Sequence, residues 1–130
     1  MVKLIPNMPE DVLAFDIIGE YRIKDVKILE RLFLNKTRNH KKVNILAKID
    51  KLDLSKTTLK AFWEDFTFAL QYYKDVRKMA IVGSNDFQRY LIKLDSWFFD
   101  NKKHGREEKY FDIKEIKDAH SYVSKEAVIA

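Results

Sequence analysis

Two apolar, β-branched runs open the chain, Val2 to Ile5 and Val12 to Ile18, with Pro6, Asn7, Met8 and Pro9 between them. Proline cannot donate to a strand ladder, so the interruption reads as a turn and the runs as a strand pair. From Ile23 the period becomes helical: Ile23, Val26, Leu29 and Phe33 fall on one stripe that Ile28 and Leu32 widen. Val43 to Ile49 is short, aliphatic and bounded by charge, which suits a buried parallel strand. After the potential cap Ser55, the residues Leu59, Phe62, Phe66, Ala69 and Tyr73, flanked by Trp63 and Leu70, make the clearest amphipathic stripe and predict a second helix. Met79 to Gly83 predicts a fourth strand. Ser84 or Asn85 then caps a third helical stripe of Phe87, Leu91, Leu94 and Phe98. A short strand over Lys109 to Phe111 leads to Asp112 with Glu115 three residues on, a capping box that opens a helix on Ile113, Ile116, Ala119 and Val123.

The predicted order is therefore ββαβαβαβα, an α/β fold with a mostly parallel five-stranded sheet and an antiparallel N-terminal strand. A chain of 130 residues has room for one such core. We expect a single domain over residues 1–124 and a flexible C-terminal tail over 125–130.

Composition narrows the chemistry. With no Cys, disulfides, thiolate metal sites and a cysteine nucleophile are excluded, and a reducing compartment is allowed. No leader-like apolar segment precedes Pro6 and no apolar stretch approaches the roughly 20 residues of a membrane helix, so the expected location is cytoplasmic. Three isolated Gly carry neither a dinucleotide fingerprint nor a phosphate-binding loop, and three His lack local ligand spacing, so no cofactor and no metal are expected.

The order of elements resembles that of STAS domains, the anti-sigma-factor-antagonist type. Gly19 followed by Asp25, Trp63 with Asp65, the run Met79-Ala80-Ile81-Val82-Gly83, and Phe111 to Ala119 are similar to the recurrent spacing of small SpoIIAA-like proteins. The resemblance implies a fold shared with CRAL-TRIO lipid-binding domains and brings no established activity. STAS regulators controlled by phosphorylation carry a D-S-S-G-L-like segment between the third strand and second helix. Here that segment is Asp50-Lys51-Leu52-Asp53-Leu54-Ser55, and Ser55 reads as a helix cap.

Ligands of parallel α/β sheets usually bind at the carboxyl ends of the strands. The loops expected there carry Gly19 and Glu20, Asp50 to Ser55, Ser84 to Asp86, and Asp112, which makes Asp50, Asp53, Ser55, Ser84 and Asp86 candidate ligand or partner contacts. The opposite edge is expected to hold the helix-to-strand loops, which carry Lys36, Arg38, Lys41 and Lys42, then Lys74, Arg77 and Lys78, then Lys102, Lys103 and Arg106. Bases near helix ends complement the macrodipole, and the same edge also suits peripheral contact with an anionic membrane. The scarcity of interleaved aromatics argues against nucleic acid. His40 and His104 fall on the basic edge, away from Ser55 and Ser84, which disfavours a Ser-His pair. His120, beside Ile116, reads as a partly covered surface residue.

Lys48 and Asp16 each interrupt a strand expected to be buried, where an ion needs a partner or a path to water. Lys48 can reach toward Asp50. Phe68 and Tyr72 on the second helix, and Ile92 and Phe99 on the third, point away from their core stripes. They are read as packing on a neighbouring helix, as a dimer contact, or as the wall of an apolar pocket. With no catalytic constellation, the leading expectation is a non-enzymatic regulatory module that binds a protein partner or a second copy. The alternative is a carrier or sensor of an apolar, lipid-like small ligand.

Overall fold

The computed structural model describes residues 1–53, 76–84 and 107–124. Ser55, Phe68, Tyr72, Asp86 and Phe99, and with them the second and third predicted helices and the tail, lie outside the described residues.

Five strands form one sheet in sequence order, β1 (Val2–Leu4), β2 (Val12–Ile17), β3 (Val43–Lys48), β4 (Val76–Gly83) and β5 (Glu107–Asp112). β1 runs antiparallel to β2, and every other neighbouring pair is parallel, as predicted. The turn between β1 and β2 places Asn7 at φ 64°, a left-handed conformation that Asn tolerates better than most residues.

Side chains alternate across the sheet. Leu13, Phe15, Ile17, Val43, Ile45, Ala47, Met79 and Ile81 build a core on one face, joined by Phe33 of α1 (Ile23–Thr37). Val12, Ala14, Leu46, Ala80 and Val82 face the other way and meet Ala119 and Val123 of α2 (Ile116–Ser124). The capping box is present: Lys114 N donates to Asp112 Oδ1 at 3.0 Å, and Asp112 N donates to Glu115 Oε1 at 3.2 Å. It opens as one 3-10 turn, Ile113–Glu115, before α2 begins.

Three expectations need correction. Ile23 and Ile28 do not lie on a buried stripe, being 74% and 41% exposed. At about 100° per residue, Val26 and Leu29 fall within about 40° of Phe33, whereas Ile23 lies about 80° and Ile28 about 140° away. Arg77 and Lys78 belong to β4 rather than to the preceding loop. Their polar character hides a strand start because the pairing is irregular there: Val43 faces Val76, but Ile45 faces Met79. Lys36, too, sits in the last turn of α1 and not in the loop after it.

Asn44 fits this irregularity. Its side chain is buried, its Oδ1 accepts from Lys78 N at 3.2 Å, and its Nδ2 donates to Val123 O at 2.6 Å. One neutral amide thus satisfies the irregular stretch of β4 and the end of α2 together.

Candidate functional site

Parallel pairing aligns Ala14 with Leu46 and therefore Asp16 with Lys48 one alternation later, on the same face of the sheet. Lys48 Nζ donates to Asp16 Oδ2 at 3.2 Å and forms an ion pair with Asp50 Oδ1 at 3.1 Å. The three side chains are only 16%, 13% and 18% exposed. Lys51, at 4.0 Å from Asp16 Oδ2 and largely exposed, adds a second positive charge at the rim. Burial works against the Lys48 ammonium, but Asp50 and Asp16 outweigh it, and the pKa of Lys48 is raised above its ordinary value. The inner oxygen Asp16 Oδ1 is buried without a hydrogen-bond partner, and Asp50 Oδ1 has the ion pair but no aligned hydrogen bond.

The loops around this cluster are tied together. Gly19 sits at φ +76°, the left-handed region that glycine enters without cost, and this lets its amide donate to Lys51 O at 3.1 Å while its carbonyl accepts from Asp53 N at 2.8 Å. Ile49 N donates to Val82 O at 2.8 Å, which holds the end of β3 against β4. Asp50 and Ser84 follow Lys48 and Val82, themselves register partners, by two residues each, so both candidates lie at adjacent strand ends. Ser84 O accepts from Tyr110 Oη at 2.6 Å, and burial, with Asp112 nearby, raises the Tyr110 pKa. Asp112 is committed as the cap of the following turn.

Asp50, Asp53 and Ser84 are therefore all at the carboxyl end of the sheet, as predicted. In the sequence Asp16 stands out as an ion in an apolar strand, but its pairing with Lys48 depends on the β2 to β3 register. Equal spacing from the last apolar residue on the same face, Ala14 to Asp16 and Leu46 to Lys48, is the signal that carries it. At the other end, His40 follows α1 and its backbone amide donates to Lys36 O at 3.1 Å. His120 is partly covered on α2, as expected. No cluster of three or more potential metal ligands occurs among the described residues.

The sequence profile of SpoIIAA-like proteins matches residues 12–124. The chain belongs to the SpoIIAA-like family. The matched residues run from the start of β2 to the end of α2. An uncharacterized protein from Shewanella loihica PV-4, solved by crystallography and described as having a SpoIIAA-like fold, is similar over 94% of this chain and 93% of its own, with a TM-score of 0.64 and 23% identity. At that identity the likeness speaks for the fold alone. No curated protein matches the chain. No described helix is long and apolar enough to cross a membrane.

Proposed function

We propose that this SpoIIAA-like chain is a non-enzymatic, STAS-like interaction module that engages a protein partner at the carboxyl end of its strands, or a second copy through Phe68 and Tyr72 of the second predicted helix. The observation that carries this reading is the state of Lys48. A catalytic lysine acts as a base or nucleophile only when its pKa is pushed down. Lys48 is held the other way, as an ammonium between two carboxylates. Such a cluster fixes a pattern of charge in one orientation, which serves recognition better than turnover. Asp53 and Ser84 flank it at half-buried positions from which a partner can be touched.

The test is site-directed photo-crosslinking in cells that naturally make the protein. A benzophenone side chain at position 53 or 84 is expected to trap one discrete protein adduct, whereas the same group at exposed Lys117 on α2 traps none. Equal labelling from all three positions, or none from 53 and 84, contradicts the reading. The dimer proposal through Phe68 and Tyr72 is tested by sedimentation: Phe68→Ser should convert a concentration-dependent dimer to monomer, and a wild-type monomer at high concentration ends it.

A groove at the amino end of the strands supports the second reading, a carrier or sensor of an apolar, lipid-like small ligand.

A further inference from the structure

At the amino end of the strands, opposite the Lys48 cluster, the polypeptide leaves a groove of about 500 Å³ between the β1–β2 turn and the second half of α1. That volume lies in the range of small-molecule sites. Its floor is aliphatic, from Leu4, Ile5 and Met8 of the turn region and Leu32 of the helix. Leu4 is 57% exposed, so apolar surface here is left in contact with water. The origin of the groove is legible in α1. Leu29, Leu32 and Phe33 cover the sheet, but the next turn continues that side with Lys36, and His40 follows just beyond the helix, so polar side chains line the space where a core would otherwise extend.

The ionisable side chains of the lining are Lys36, Glu10 and His40. Lys36 Nζ spends one of its three donors on Glu10 O at 2.8 Å, which ties the helix to the turn and leaves two donors for a ligand. His40 lies in the same wall, and Arg38 and Lys41 are exposed in the segment that leads to β3. Glu10 is the acidic residue of the lining. An aliphatic floor with the remaining Lys36 donors at its wall complements a molecule that has an aliphatic body and a single carboxylate.

We infer that this groove binds a small amphipathic carboxylate, with its chain along Leu4, Ile5, Met8 and Leu32 and its carboxylate against Lys36 and His40. The site is independent of the partner-binding reading, which concerns the other end of the strands, so either can fail alone.

The experiment is calorimetric titration with decanoate, decanol and decylamine below their micellar concentrations, with amide NMR shifts to locate binding. Decanoate is expected to bind more tightly than decanol, decylamine not at all, and the largest shifts to fall at Ile5, Ala14, Leu32 and His40. Asn39→Trp, at an exposed position on the groove's rim, should block all binding without loss of stability. Lys36→Gln should weaken decanoate by roughly tenfold and leave decanol unchanged, which separates charge recognition from a collapsed groove. Equal affinity for decylamine, decanoate binding that survives Asn39→Trp, or no binding by any probe would each overturn the inference. So would tight attachment to anionic vesicles that Asn39→Trp leaves intact, since the basic segment would then serve a membrane surface.

Discussion

At the carboxyl end of β2 and β3, buried polarity is ionic: Lys48 lies 3.2 Å from Asp16 and 3.1 Å from Asp50. At the amino end of β3, on the same face of the same strand, it is a neutral amide, Asn44, bonded to Lys78 N and Val123 O. Both solve the problem of a polar side chain in a sheet, but they fail differently. Removing the lysine leaves two carboxylates facing one another in a poorly hydrated place, and the loss exceeds any benefit the pair gave. Removing the amide leaves two backbone groups unsatisfied and no charge exposed. The ionic end is costly to keep and specific in its charge pattern, whereas the amide end joins parts of the fold.

Substitutions can break this contrast. Lys48→Met should show the largest effect, a loss of about 3 kcal/mol in urea denaturation, the lower end for a broken buried pair because the three side chains keep some contact with water. The double variant Asp16→Asn with Lys48→Met should recover part of it, and a simple sum of the two single losses would show that the residues do not interact. Asn44→Ala should cost about 2 kcal/mol and speed exchange of the Lys78 amide. An unchanged midpoint would mean that water replaces the amide. Gly19→Ala should cost about 1 kcal/mol through its positive φ alone, because a Cβ there meets nothing within 4 Å. Ile23→Ser, at the exposed start of α1, should stay within about 0.5 kcal/mol.

Alkaline titration sharpens the comparison further. Lys48 is raised in the fold, so its contribution is complete below its ordinary pKa of 10.5 and is lost as pH rises through the higher folded value. Tyr122 behaves alike, because burial, followed by Glu107, pushes it up to about 12 from 10.0. Folding stability should therefore fall with rising pH above about 10. Phenolate absorbance should show Tyr122 ionising later than an exposed tyrosine. The Lys48→Met variant should show a shallower fall, and an equal slope would separate the cluster from the transition.

How much of this was legible in the sequence differs between the two ends. Strand identity and order came from apolar runs, and the start of the last helix came from Asp112 and Glu115, since these signals are local. The carboxyl-end cluster was half legible. Lys48 and Asp16 stand out as ions in apolar strands, but their meeting depends on register, a long-range property. Asn44 was not legible, because its partners, Lys78 N and Val123 O, lie 34 and 79 residues away and are backbone groups that no side-chain pattern announces. The groove was not legible either. It arises because the covering side of α1 changes from Leu32 and Phe33 to Lys36, and a charged residue late in a helix ordinarily reads as a complement to the dipole.

Lys48 is held as an ammonium between Asp16 and Asp50 rather than as a reactive amine. Its side-chain nitrogen can be followed by NMR across alkaline pH in the folded protein. The ammonium signal is expected to persist past pH 10.5 and to shift when Asp50 is changed to Asn. A titration below 10.5 would show a lysine prepared for base or nucleophile chemistry and would contradict a non-enzymatic module.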